Sequence, residues 1–126
     1  MRYLVSIILL QLVSIPQAVT AKDAVFAQAK CTIVYSLKRS ADKYFNDEIS
    51  QLDTQIKKQK IQFIDLNNWR KVAPHVEISG RFRNQLRHRY DLPKNMNQAI
   101  ILDSKGQELI RYSGSVTLVN GLIACN

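Results

Sequence analysis

The chain switches repeatedly between short β-branched runs and helical spacing, and this alternation limits its architecture more than any other feature. Thr32 to Ser36, directly after Cys31, is a short apolar run suited to a buried strand. From Ser40 the period lengthens. Phe45, Ile49, Leu52 and Ile56 recur at four, three and four residues, the stripe of one amphipathic helix. Ser40 or Asp42 suits its N-cap, and Lys57, Lys58 and Lys60 suit its far end, where the helix dipole favours cations. Ile61 to Leu66 reads as a second strand, followed by the long connection NNWRKVAPHVEIS. Gly80 to Tyr90 returns to helical spacing, with Phe82, Leu86 and Tyr90 on one face, and Leu92-Pro93 stops it. Ala99 to Leu102 is a third strand, Asp103 to Gly106 a hairpin turn, and Glu108 to Tyr112 a fourth strand. Val116, Val119, Leu122 and Ile123 predict a closing helix, in which Gly121 is an unfavourable residue.

The resulting order is β-α-β-α-β-β-α, an α/β chain. Two strands joined through a helix should lie parallel with a right-handed crossover, and the last pair should form a hairpin. Folded this way, the chain is a mixed four-stranded sheet with helices on both faces, the minimal thioredoxin core. The stretches CTIVYSLKRSADKYFNDEISQL, LRHRYDLP and AIILDSKGQELIRYSG resemble a small bacterial thioredoxin-like family, the domain of unknown function 4174. The resemblance implies a thioredoxin-like fold over most of the chain and no established activity. Two departures from active thioredoxins bear on chemistry. The turn after the first strand reads Leu37-Lys38-Arg39-Ser40-Ala41-Asp42, without the thiolate that performs exchange at a helix N-terminus. Met96-Asn97-Gln98 lead into the third strand, where active thioredoxins carry a cis-proline.

The first residues bear on compartment. Arg2 precedes an apolar run from Leu4 to Ile15, and Pro16 is followed by Val19-Thr20-Ala21, small residues that suit signal peptidase. A signal peptide over residues 1–21, cleaved after Ala21, is therefore expected, with one thioredoxin-like domain over 22–126. The run falls short of the roughly 20 residues a spanning helix needs, so no membrane span is expected after cleavage. Such a protein would be periplasmic or secreted. The whole chain carries +8, and losing Arg2 leaves 17 basic against 10 acidic residues, or +7. That balance favours anionic partners, and export turns the expectation from nucleic acid towards an acidic protein or an anionic envelope component.

Export also frames Cys31 and Cys125, the only cysteines. They are far too distant in sequence for a C-x-x-C redox motif, and an oxidising compartment favours a bridge. On the thioredoxin scaffold, Cys31 starts the first strand at the pole opposite the usual active site. The closing helix should return Cys125 to that pole, so an intramolecular disulfide is expected, worth roughly 4 kcal/mol by loop closure. Free thiols and an intermolecular bridge are the alternatives. An atypical thiol–disulfide oxidoreductase using Cys31 or Cys125 is the rival functional reading.

Ligands of open α/β sheets sit beyond the carboxyl ends of the parallel strands. Three loops should meet there: Ser36 to Asp42, Asn67 to Ser79, and Pro93 to Gln98. Lys38, Arg39 and Ser40 place cations beside helix N-terminal amides, a candidate anion site. Trp69, the lone tryptophan, is either a plug that pins the long loop or a recognition anchor. RFRNQLRHR, residues 81–89, is the densest run of charge. Arg83 and Arg87 lie one turn apart, away from Phe82 and Leu86, while Arg81 and His88 share another flank. Helix-end placement accounts for Arg87, His88 and Arg89, whereas Arg81 and Arg83 sit nearer the unfavourable end. These arginines read either as a solvated face or as a partner surface. Asp65 and Asp103 end strands and suit turns. The sequence contains no motif for catalysis, for a cofactor or for a metal site, and it specifies no oligomeric state.

Overall fold

The strand Cys31–Ser36 is buried along its whole length, and the remaining elements are arranged to cover it. The computed structural model describes residues 24–67 and 76–126. The expected signal peptide and Trp69 lie outside these residues. The elements are α1 (Ala24–Ala27), β1 (Cys31–Ser36), α2 (Arg39–Gln51), α3 (Asp53–Lys58), β2 (Ile61–Asp65), α4 (Gly80–Tyr90), β3 (Gln98–Asp103), β4 (Glu108–Ser113) and α5 (Leu118–Ala124). The sheet order is β2-β1-β3-β4. β1 and β2 are parallel, while β3 is antiparallel to both β1 and β4. This is the mixed four-stranded sheet of a thioredoxin-like fold.

Alternation along the strands divides the core in two. Ile33, Tyr35, Phe63 and Ile101 face Phe45, Ile49 and Ile56 of α2 and α3, together with Leu118 of α5. Val34, Ile64, Ile100 and Leu102 face Phe26 of α1 and Leu86 of α4. Each such fully buried aliphatic or aromatic side chain contributes about 1.5–3 kcal/mol of hydrophobic stabilisation. The polar residue Gln62 is accommodated on the second face, where its Nε2 donates to Thr32 Oγ1 (2.9 Å) and Val25 O (2.6 Å).

Three local features differ from the sequence expectation or sharpen it. The stripe from Phe45 to Ile56 belongs to two helices, broken at Leu52 (φ −105°, ψ 17°), which ends α2 and starts α3. Neither Ser40 nor Asp42 caps α2. Lys38 occupies the N-cap, and Asp42 is buried inside the first turn. Gly121, unfavourable by propensity, lies over β1 and β3; a Cβ there would sit 3.0 Å from Ile33 Cδ1. The hairpin turn forms as its sequence suggests. Asp103 Oδ1 accepts from the amides of Lys105 and Gln107, both at 2.9 Å, and Gly106 takes a left-handed φ of 79°.

Cys31 and Cys125 are bonded to each other, with Cα atoms 5.7 Å apart, within the usual span. The bridge joins the start of β1 to the end of α5, as the scaffold argument expected. Replacing both cysteines with serine should lower unfolding free energy by about 2–5 kcal/mol in urea titrations while far-ultraviolet circular dichroism stays unchanged.

Candidate functional site

The carboxyl ends of β1 and β2 are built around polar side chains. Ser36 is fully buried at the end of β1, and Asp65 is almost so at the end of β2. Asp65 Oδ1 accepts from the amide of Asn67 (3.0 Å), the turn role its position suggested. Asn67 Nδ2 then donates to Leu37 O (2.7 Å), tying the second loop to the first. The third loop joins through Asn97, whose Oδ1 accepts from the Lys38 amide (2.7 Å), and through Pro93 O, which accepts from Ser36 Oγ (3.4 Å). Of the three loops expected to meet at this pole, the described residues Asn67, Pro93 and Asn97 meet the first loop.

Arg87 holds them together. Its Nη1 donates to Ser36 Oγ (2.8 Å) and Leu92 O (3.0 Å), and its Nη2 donates to Asn67 Oδ1 (2.5 Å). The guanidinium thus spans the end of β1, the loop after β2 and the segment after α4. Hydrogen bonds to a charged donor are each worth about 1.5–3 kcal/mol. Burial lowers the Arg87 pKa, with Asp65 acting against that shift and Arg83 adding to it. Arginine nevertheless keeps its charge at any physiological pH.

Arg83 and Arg87 do not form a solvated outer face; both are half-buried. They line a cleft of about 490 Å³ with Asn67, Asn84, Lys94 and Asn95. Arg83 Nη1 donates to Ile78 O (3.0 Å). Arg81 is exposed on another flank of α4, against a separate hollow that includes Val25 and Phe82. His88 lies two turns further along the same helix. It faces the groove formed by Arg87, Asp91 and Lys94. Lys38, Arg39 and Ser40 are exposed, and the Lys38 amide is already engaged by Asn97. The structure therefore brings Arg83 and Arg87 together, separates Arg81 from them, and sets Lys38–Ser40 at the first loop.

Beneath the first loop lies a buried network that the sequence reading passed over. Tyr35 Oη donates to Asn46 Oδ1 (2.9 Å), and Asn46 Nδ2 donates to Asp42 Oδ1 (2.6 Å) and Asp42 O (2.8 Å). All three residues are at most 1% exposed. The available signal was spacing, since Asp42 and Asn46 fall on the same helical stripe as Phe45 and Ile49. Lys94 and Asn67 were missed as well, and nothing in their local sequence marks them.

Among the described residues, no group of three or more His, Cys, Asp or Glu could hold a metal ion. No helix among them is long and apolar enough to cross a membrane. No protein-family model matches the chain, and no curated protein matches it. Among solved structures, the chain is similar to a Xanthomonas campestris bacterioferritin comigratory protein, described for its alkyl peroxide reduction activity. The TM-score is 0.43 at 7% identity, covering 79% of this chain and 78% of that one. Likeness at that level carries no argument about chemistry, and the fold assignment stands on strand order and pairing.

The Tyr35 hydroxyl is pushed well above the usual tyrosine range, chiefly by burial, then by the charges of Asp65 and Asp42, with the Asn46 hydrogen bond opposing. A pKa raised in the folded state gives stability that is complete below the unfolded value of about 10 and is lost as pH climbs past it. Urea titrations above pH ~10 should show an extra fall of about 1.4 kcal/mol per pH unit that Tyr35→Phe removes. Equal slopes for the two proteins would contradict this assignment.

Proposed function

We propose that this is an exported, redox-inactive thioredoxin-like module that binds a partner at its loop pole. One observation carries the reading. Both cysteines are spent on a bridge at the pole opposite the loops, while the turn from Leu37 to Asp42 offers Lys38, Arg39 and Ser40 where exchange would need a thiolate. Pro93 is used by a different contact, its carbonyl accepting from Ser36, and Asn97 rather than proline leads into β3. Export rests on the N-terminal sequence and on the compartment that a long-range disulfide prefers. The resemblance to the family of unknown function 4174 is compatible with this reading and adds no activity to it.

The loop pole supplies what a binding role needs. Among the described residues, Ser36, Leu37 and Lys38 are linked by side-chain hydrogen bonds to Asn67, Pro93 and Asn97, so a partner would meet these groups already held in place, which lowers the entropy lost on binding. Its charge favours an anionic partner, an acidic protein or an envelope component.

Protein purified from the oxidising compartment without reductant should not be labelled by a thiol-alkylating reagent, folded or in denaturant. It should also fail to accelerate the dithiol-driven reduction of insulin. Rapid alkylation of Cys31 or Cys125 in the native protein, or insulin reduction above the uncatalysed rate, would instead establish the oxidoreductase reading.

A further inference from the structure

The cleft at the loop pole has an unbalanced charge. Arg83, Arg87 and Lys94 line it, and no carboxylate does so among the described residues. Asp65, whose charge acts on Arg87, is not in the cleft lining, and Asp91 sits in the adjoining groove. Arginines four residues apart on a helix repel each other, and these two are felt as such: Arg83 lowers the Arg87 pKa. The loop contacts of Arg87 and the Ile78 contact of Arg83 are to neutral groups, so they leave the three positive charges around the hollow uncompensated. An anion placed between them would relieve the repulsion.

Arg87 is held by Ser36, Leu92 and the cleft-lining Asn67, and Arg83 by Ile78 O, so both guanidinium groups are fixed before any ligand arrives. Such pre-organised forks match oxyanions through paired N–H donors. Three positive charges call for more than one negative charge, which favours a phosphate monoester dianion over a single carboxylate. The amides of Asn84 and Asn95 add neutral donors at the rim. A volume of about 490 Å³ also exceeds what a bare phosphate fills, since a water's share of liquid is only about 30 Å³. There is room for the esterified group.

We propose that the cleft lined by Arg83, Arg87 and Lys94 is a binding site for a phosphate monoester. This rests on reading the loop pole as the binding surface, and it names the chemistry held there. The phosphoryl group could belong to a soluble ester or to a lipid headgroup.

The full exported chain is titrated calorimetrically with phenyl phosphate at low salt. Saturable one-site binding is expected, with benzoate about tenfold weaker. Arg83→Gln and Lys94→Gln should each weaken phenyl phosphate about tenfold or more, the size of one lost charge-assisted hydrogen bond. Arg81→Gln removes the same charge from the other flank and should leave affinity unchanged. Arg87 stays in place because the loops depend on it. Equal affinity for benzoate, an equal loss in Arg81→Gln, or no saturable binding would overturn the proposal. Sedimentation with phosphatidic acid vesicles in a phosphatidylcholine background then separates the sources. Retention displaced by phenyl phosphate identifies a lipid phosphate, and no retention beside intact phenyl phosphate binding identifies a soluble ester. Retention that phenyl phosphate does not displace, and that Arg81→Gln reduces as much as Arg83→Gln, would again overturn the site. Insulin reduction by a protein that still binds phenyl phosphate would remove only the redox-inactive reading, whereas failed titration beside inert cysteines would remove only this one.

Discussion

The guanidinium of Arg87 bonds to Ser36, Asn67 and Leu92, and these contacts fix the relative positions of loops that share no strand ladder. The strands end at Ser36 and Asp65, and beyond them the main-chain bonds include Leu66 N to Tyr35 O (2.9 Å) and Gly114 N to Asn97 O (2.8 Å). A planar group with five donors can bond in several directions at once, which a lysine ammonium on a flexible stem does far less rigidly. The Asn97 bond to the Lys38 amide adds the third loop. Among the described residues, the pole is therefore tied together by side chains in addition to these main-chain bonds.

The opposite pole is ordered by different means. There Cys31 and Cys125 form a covalent tie, and Phe26 packs beneath the hairpin turn, where a Cβ on Gly106 would come within 2.9 Å of its ring. Tyr90 reaches the same turn, its hydroxyl donating to Gly106 O at 2.6 Å. Arg111 closes the neighbouring side by donating to Tyr90 O, Asp91 O and Glu108 Oε1, which anchors the end of α4 to β4. One end of the sheet is thus fastened by a bridge, packing and bonds to main-chain carbonyls, and the other by hydrogen-bonded side chains that line a cleft.

Much of this was legible from residue spacing. The β-branched runs, the stripes in α2 and α4, and the Asp103–Gly106 turn are each decided by neighbours in sequence, where local sterics and hydrogen bonding act. The pairing of Cys31 with Cys125 followed from compartment and scaffold together. The break at Leu52 was invisible because α3 resumes with Ile56 on the same buried side, so the apolar period runs through it. The cap of α2 could not be read locally, since Asn97 reaches Lys38 from 59 residues away. Arg83 and Arg87 fall off the Phe82–Leu86 stripe, which by helical geometry alone suggests solvent. What covers them are loops whose course depends on contacts across the whole chain.

The covalent tie also has a mechanical consequence. Tension applied between Ala24 and Asn126 would pass from Lys30 directly through the sulfur–sulfur link to the last residue, leaving everything from Thr32 to Ala124 outside the loaded path. The sheet would then keep its shape under a pull that unravels only α1. In a fully reduced chain the same pull would peel β1 from the middle of the sheet.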